Sequence, residues 1–339
     1  MDLEAIVIVT IGVALIFDVI NGFHDAANSI ATIVSTRVLS PRYAVLWAAT
    51  FNFLALWIFK LSVAKTIANI IHVDPHDSAF VFVVICGLTG AILWNLFTWW
   101  LGLPSSSSHA LIGGLSGAGV AYHGFGVLNL DTLVPTLEFI ILAPIIGLVL
   151  GMVLMLAVSW LCARARPRTV DRVFRKAQLA SAAAYSLGHG GNDAQKTIGV
   201  IALVLYAAGK ITKSELDAAD IPAWVVFASY GCMAAGTAIG GWRIVKTMGM
   251  GITPLKPVGG FCAEVAGAIT LFGATHFKVP VSTTHTITGA IVGVGSVTKL
   301  RGIRWGVAAR IVWAWILTIP MAGLVGIGTL LAARWIGSW

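Results

Sequence analysis

The stretch GLPSSSSHALIGGLSGAG at residues 102–119 returns, in related form, as KVPVSTTHTITGAIVGVG at residues 278–295. Both copies hold a proline, a run of hydroxyl residues, a histidine and three spaced glycines in the same order. A second pair of motifs precedes them, GFHDAANSI at residues 22–30 and GGNDAQKTI at residues 190–198. Because two motifs recur in the same order, we infer that the chain consists of two related halves.

The composition indicates a membrane protein. Of the 339 residues, 58% are hydrophobic and 11% are charged, which is about half the charged fraction of a soluble domain. The mean hydropathy is +0.90. Apolar runs of about 20 residues recur, each long enough to cross a bilayer as a helix, and they lack the short alternation of barrel strands. We therefore predict an all-α polytopic membrane protein.

The apolar runs divide into five segments in each half. A first transmembrane repeat is expected over residues 1–161, a basic cytoplasmic linker over 162–178 and a second repeat over 179–339. Since five is odd, the second half enters the membrane in the opposite sense, and inverted repeats are typical of secondary transporters. The predicted segments lie near residues 4–36, 43–60, 79–101, 104–122 and 137–161, and then 179–206, 223–241, 258–275, 279–297 and 305–333.

The distribution of basic residues predicts the orientation. The linker sequence RARPRTVDRVFRK at residues 164–176 holds six basic residues and one acidic residue, so the positive-inside rule makes it cytoplasmic. The other loops on that side hold eight Lys and Arg, against five in the loops on the opposite side, and both termini are then extracytoplasmic. The start MDLE lacks the basic flank of a cleaved signal peptide, so we expect the first segment to be retained. The net charge of +8 reflects this orientation and does not indicate nucleic-acid binding.

The hydroxyl-rich motifs predict two helical hairpins with Ser/Thr tips. Proline suits the first turn of a helix, and Ser and Thr are good N-caps. A helix that begins there presents free backbone N–H groups and the positive end of its dipole, which suits an anion. The alternative is that the hydroxyls bond back to their own helix. His109 and His285 either brace the tips or contact the substrate.

The acidic motifs place carboxylates inside apolar segments. Such residues usually line an ion or substrate path, and Asp25 and Asp193 occupy matching positions. The glycines before them, Gly22 and the pair at 190–191, predict a break in each helix that would free carbonyl groups. A coupling-ion site is expected beside the anion site, with a structural aspartate as the alternative.

Lys196 breaks the symmetry, because it stands where the first half has Asn28. Either its ammonium replaces a bound cation in the second half, or it forms a salt bridge to Asp193 or Glu264. Glu264 is a further intramembrane acid of the cation path, and Asp18 either joins that path or lies near the outer surface.

At these motifs the sequence resembles the inorganic phosphate transporter (PiT) family. The residues that carry the resemblance cover nearly the whole chain, and the variant Gly-Phe-His-Asp with Gln-Lys is similar to the bacterial low-affinity branch. The motifs are GFHDAANSIATIVSTRVLS, GLPSSSSHALIGG, SLGHGGNDAQKTIGVI and VPVSTTHTITGAIVG.

The resemblance implies a secondary active symporter of the cell membrane, the inner membrane of a bacterium, that imports inorganic phosphate by alternating access. That branch is thought to use the proton gradient and to carry phosphate as a neutral divalent-metal complex. The implied substrate-binding residues are Ser105, Ser106, Ser107, Ser108, Ser282, Thr283, Thr284, Asn192, Gln195 and Lys196. The implied coupling-ion residues are Asp25, Asn28, Asp193, Glu264 and His24.

Two departures from the family pattern bear on the coupling ion. Sodium-coupled members have Asn at the position of Lys196 and tend to have Glu at the position of Asn52. Sodium-coupled phosphate symport and a sulfate or other oxyanion permease therefore stay as alternatives. Phosphate can keep a proton and donate a hydrogen bond to a carboxylate, whereas sulfate cannot at neutral pH, which favours phosphate.

Other classes of function fit less well. An intramembrane metalloenzyme would need a motif such as His-Glu-x-x-His, which the sequence lacks, and the hydroxyl donors argue against a cation exchanger. We expect a non-enzymatic protein without a resident cofactor, whose partners are phosphate, the co-transported ion and the lipid bilayer. The co-transported ion is H+, with Na+ or a divalent metal as alternatives. A homodimer is the assembly to test for, and His72 and His76 are candidate ligands of a surface metal.

Overall fold

The computed structural model describes residues 3–72 and 79–337, and His76 lies outside these ranges. Within them the chain is helical, with one isolated β-bridge between Ile71 and Leu128 and no longer strand. The predicted all-α fold is confirmed. The α-helices are α1 Leu3–Ser35, α2 Pro41–Leu54, α3 Ser62–Ala68, α4 Phe80–Leu101, α5 Ser107–His123, α6 Leu130–Leu161, α7 Pro167–Ala207, α8 Lys213–Ala218, α9 Ala223–Ile239, α10 Trp242–Gly251, α11 Pro257–His276, α12 Thr283–Lys299 and α13 Trp305–Trp335.

Several helices have the length and apolarity of membrane spans. Helices α1, α4, α6, α11 and α13 each meet that requirement alone. Two bent pairs meet it together: α2 with α3, which turn by 87°, and α9 with α10, which turn by 68°. Helices α5 and α12 have 17 residues each, and α7 carries the polar motif around Asp193.

The outer surface suits a lipid environment. Large apolar side chains are exposed along α6 and α13, among them Ile141, Leu156 and Ile316. Exposed tryptophans mark the ends of these helices, with Trp160 at the end of α6 and Trp335 at the end of α13. Tryptophan prefers the boundary between membrane and water. The chain is a multi-pass membrane protein.

The two helices that carry the acidic motifs are not broken at the predicted glycines. Helices α1 and α7 continue without interruption through Gly22 and Gly190, so the prediction of breaks and freed carbonyls at these glycines is wrong. The glycines instead allow close packing. A Cβ at Gly22 would lie 2.4 Å from the Met233 carbonyl oxygen, and one at Gly190 would lie 2.4 Å from the Asn52 carbonyl oxygen. Small residues permit such approach between helices.

The two halves pack against each other in reciprocal pairs. Helix α1 packs on α9, while its counterpart α7 packs on α2. Likewise α5 packs on α13, while its counterpart α12 packs on α6. A pseudo-twofold relation between the halves would produce this pattern, and that relation stays a prediction. The sense in which each half enters the membrane stays a prediction.

The basic linker is mostly helical. Residues 162–166 form the turn after α6, and α7 already begins at Pro167. The first turns of α7 are therefore exposed and basic, with Arg168, Arg172 and Lys176 on the surface.

Candidate functional site

The two predicted hairpins are present, and a serine caps the second helix of each. In the hairpin α4–α5, the Ser106 hydroxyl accepts a hydrogen bond from the His109 backbone N–H at 3.3 Å. In the hairpin α11–α12, Ser282 accepts from the His285 N–H at 3.2 Å. The first N–H groups of each helix keep no partner within the helix, so both tips present donors and a positive dipole end.

The two histidines join the hairpins behind their tips. The rings of His109 and His285 meet edge to face with centroids 4.5 Å apart, and His285 stacks on Trp315 at 3.8 Å. The Trp315 indole N–H also donates to the Pro104 carbonyl at 3.1 Å. This geometry corresponds to the bracing alternative.

Asp25 of α1 contacts its neighbour His24 and the first hairpin tip. Its Oδ1 lies 2.7 Å from His24 Nδ1, and its Oδ2 accepts from the Ser107 hydroxyl at 2.7 Å. The other ring nitrogen of His24 lies 3.0 Å from the Thr98 hydroxyl, which also accepts from Ser105 at 2.8 Å. All these side chains are buried, so the protein fixes the orientation of the carboxylate.

Asp193 of α7 has the corresponding place in the second half. The Lys196 ammonium donates to Asp193, and the Thr283 hydroxyl of the second tip donates to its Oδ2 at 3.2 Å. His189 Nε2 lies 3.3 Å from the same oxygen. The predicted salt bridge between Lys196 and Asp193 is present.

The two halves meet at these aspartates. One ligand atom each from Asp25, Asp193 and His189 lie within 4.8 Å of one another. Each acidic helix also reaches a hairpin tip from the opposite half. Asn28 of α1 donates to Thr284 of α12 at 2.9 Å, and Lys196 of α7 donates to Ser108 of α5.

The chemistry of the centre suits an anion together with protons or a cation. Hydroxyls, helix-end N–H groups and an ammonium supply hydrogen-bond donors to an oxyanion. The carboxylates can bind a proton or ligate a hard cation. Among the described residues, the buried acids outnumber the single buried lysine; they are Asp18, Asp25, Asp193 and Glu264.

Two predicted site residues, Gln195 and Asn192, form no hydrogen bond to Asp25 or Asp193 among the described residues. The Gln195 side chain accepts from the Val63 N–H at 2.9 Å and donates to the Gly191 carbonyl at 2.6 Å, so it joins α7 to α3. Within the described ranges both polar atoms of the Asn192 amide are buried without a hydrogen-bond partner.

Glu264 forms a separate cluster on α11. Its carboxylate accepts from Thr32 at 2.6 Å, from Gln178 at 2.9 Å and from Ser181. The alternative pairing of Lys196 with Glu264 is not formed, because the ammonium contacts Asp193 and Ser108 of the first tip and the Val281 carbonyl at 3.2 Å.

His189 was not predicted as a member of the site. It lies four residues before Asp193 on α7, and residues four apart share a helix face. Its Nδ1 is 3.2 Å from the Ser29 hydroxyl and 3.2 Å from Asn52 Oδ1. The helical spacing could have identified it.

Comparisons with known proteins agree with these features. A family model described as the phosphate transporter family matches residues 21–326. A protein of Rhizobium meliloti (strain 1021), described as a probable low-affinity inorganic phosphate transporter, is 55% identical over 315 residues, covering 93% of this chain and 92% of that protein. A protein of Bacillus subtilis (strain 168) with the same description is 44% identical over 329 residues, covering 96% of this chain and 97% of its own.

A solved structure shares the fold. The structure titled "The sodium-dependent phosphate transporter" aligns with a TM-score of 0.88 over 98% of this chain and 100% of its own, at 23% identity. At this level of identity the likeness concerns the fold alone.

Proposed function

The chain belongs to the phosphate transporter family, and we propose that it imports inorganic phosphate as a secondary active symporter driven by a proton gradient. It is a transporter of this family and not an enzyme. The observation that carries the proposal is the convergence of Asp25 and Asp193 with both hairpin tips at one buried place.

We assign phosphate to the space between the two tips. In this structure the hydroxyls of Ser107 and Thr283 donate to Asp25 and Asp193. A phosphate that keeps a proton can donate a hydrogen bond through that proton to one of these carboxylates. Its other oxygens can then accept hydrogen bonds from the two hydroxyls. Sulfate at neutral pH has no proton to donate, so it would leave the carboxylates facing an anion. This supports phosphate as the substrate over sulfate.

Three features support protons as the coupling ion. The Lys196 ammonium already provides a positive charge beside Asp193. His189, which lies beside Asp25 and Asp193, offers a nitrogen atom as a ligand, whereas hard cations prefer oxygen ligands. Asp25 contacts an imidazole and a hydroxyl, both of which can exchange protons. A sodium site would need these groups to rearrange.

Alternating access would open the contacts that join α1 and α7 to the opposite tips. The hydrogen bonds from Asn28 to Thr284 and from Lys196 to Ser108 cross between the halves, so a change in their relative position breaks both. One chain contains all of these groups, so we take one chain as the transport unit, and a homodimer would hold two such units.

We place the protein in a bacterial inner membrane with both termini extracytoplasmic. The exposed basic start of α7 supports this orientation, since Arg168 and Arg172 would then face the cytoplasm, in agreement with the positive-inside rule.

The test is uptake of labelled phosphate into proteoliposomes that contain the purified protein. A proton gradient and a sodium gradient are imposed separately, with and without Mg2+, and with excess unlabelled sulfate as competitor. Proton-driven uptake that sulfate does not inhibit supports the proposal, and a requirement for Mg2+ would identify a metal–phosphate complex as the cargo. Uptake that needs sodium contradicts proton coupling, and entry of labelled sulfate in place of phosphate contradicts the assigned substrate.

A further inference from the structure

Asp18 is a buried acid that the central site does not use. It lies on α1 seven residues before Asp25, which is two helical turns or about 10 Å along the axis. Its exposed fraction is 0%. Among the described residues, neither of its carboxylate oxygens has a hydrogen-bond partner.

The surroundings of Asp18 are polar and incompletely hydrogen-bonded. Asn21 of α1 and Thr197 of α7 lie close enough to interact with its carboxylate, and Tyr230 of α9 lies within reach of its charge. In the part of the chain that the structure describes, the Asn21 amide nitrogen and the hydroxyls of Thr197 and Tyr230 are buried without a partner. Buried polar groups are normally paired, and the donors within reach of the Asp18 carboxylate are the neutral groups of Asn21 and Thr197, so among the described residues this polar place offers the acid no ion pair.

The other buried acids have hydrogen-bond or ion-pair partners within the chain. Asp25 has His24 and Ser107. Asp193 has Lys196 and Thr283. Glu264 accepts from Thr32, Gln178 and Ser181. An ionised carboxylate without a partner is costly in a buried, apolar environment, whereas a neutral carboxylic acid is tolerated. Asp18 is therefore the buried acid that most needs a mobile positive charge.

Asn21 connects this place to the central site. The Asn21 amide oxygen lies 2.6 Å from the Ser107 hydroxyl and the Asp25 carboxylate lies 2.7 Å from it, so the single O–H of Ser107 can donate to either of them. The other end of the Asn21 amide is near Asp18. A change at Asp18 can thus reach the tip of the first hairpin through one side chain.

We propose that Asp18 is a proton-binding site of the coupling path, linked through Asn21 to Ser107 and Asp25. This inference rests on the proposed function. An O–H bond forms on the Asp18 carboxylate when a proton arrives from one side of the membrane, and it breaks when the proton leaves to the other side, so the carboxylate is regenerated in each cycle. Asn21 is a positioning residue, through which a change in the charge of Asp18 alters the hydrogen bonding of Ser107 at the hairpin tip.

The charged and titratable groups near Asp18 are consistent with this role. Helix α7 presents Asp193 and Lys196, and α9 presents Tyr230 and Cys232. Lys196 acts on the charge of Asp18, but its ammonium hydrogen-bonds to Asp193 and Ser108. A proton, and not a fixed cation of the chain, is left to neutralise the carboxylate.

The test compares D18N with the wild type in proteoliposomes by two assays. One is phosphate exchange without a gradient, and the other is proton-driven accumulation, with lumenal pH recorded by a dye. We expect D18N to retain exchange and to lose accumulation together with the phosphate-dependent lumenal acidification. D18N with wild-type accumulation overturns the proposal, and so does a folded D18N that has lost exchange as well.

Two further variants complete the design. D18E keeps a titratable group, so it should retain accumulation with a shifted pH dependence; if D18N does not fold, an unshifted D18E profile overturns the proposal. D131N, which removes an exposed carboxylate on α6, should behave as the wild type in both assays. Failure of the proposed function would appear in the wild type itself, as absence of proton-driven uptake, and failure of this inference would appear only in the Asp18 variants.

Discussion

Asp25 and Asp193 come from matching motifs of the two halves, and their carboxylate groups lie within 4.8 Å of each other and of His189. Each is held by a hydroxyl from the hairpin of its own half, Ser107 for Asp25 and Thr283 for Asp193. Two carboxylates this close repel each other when both are ionised. A proton or an anion that binds at one of them therefore changes the other, which gives the site a physical route from ion binding to substrate binding.

The ion pair of Asp193 and Lys196 should be needed for stability as well as for transport. D193N leaves a buried ammonium without its carboxylate, and breaking a buried pair costs about 3–5 kcal/mol. We expect a marked fall in the melting temperature in detergent. The double variant D193N/K196M removes both charges and should recover most of the stability without phosphate uptake. Equal stability of D193N and the wild type would contradict the pairing.

Lys196 should determine the choice of coupling ion. K196N gives the second half the residue type that the first half has at the matching position, Asn28. The substitution replaces the ammonium by an amide, whose oxygen can ligate a cation. We expect proton-driven uptake to fall and sodium to stimulate what remains, as measured in proteoliposomes. K65N, at an exposed lysine of α3, is the matched control. If K196N and K65N respond alike to both gradients, the lysine does not act in coupling.

The serine caps should contribute similar stability at both tips. S106A and S282A each remove the hydroxyl that accepts the backbone N–H of the third residue of α5 or α12, and such losses cost about 1 kcal/mol. Thermal unfolding of the two variants should show similar decreases. S296A, which removes only a bond to the preceding turn of α12, should melt close to the wild type. A decrease in S296A as large as that in S282A would argue against a special role of the cap.

The glycine at the start of the first acidic motif should be required for helix packing. In G22A the new methyl group would collide with the Met233 backbone, and overpacking of this kind costs about 1–3 kcal/mol. G12A, on the same helix with nothing within 4 Å, should be neutral or slightly stabilising, since Ala favours helix. Comparable melting temperatures for the two variants would mean that the helix is free to move or break at Gly22.

The sequence predicts much of this architecture because it contains each signal twice. The repeated proline and hydroxyl pattern identifies both hairpins and their caps at Ser106 and Ser282, and the matched aspartates identify the centre. Gly22 alone could not show whether α1 breaks, because glycine occurs both at helix kinks and at close contacts between helices. Only the neighbouring helix α9 distinguishes the two uses.

Side-chain partners were harder to predict than positions. Gln195 lies beside Lys196 in sequence but faces α3, since adjacent residues on a helix point about 100° apart. Glu264 was assigned to the cation path, yet its partners Thr32, Gln178 and Ser181 form a cluster of their own. Which groups meet across helices depends on how α1, α7 and α11 pack, and the helical period alone does not contain that information.

The most direct test of proton-coupled transport is the pH inside sodium-free proteoliposomes when phosphate is added outside under an inward proton gradient. Proton-coupled phosphate symport predicts that the lumen acidifies as labelled phosphate enters, that sulfate causes no such change, and that D25N abolishes the acidification. Phosphate that enters without lumenal acidification, or that enters only after sodium is added, would contradict proton-coupled phosphate symport.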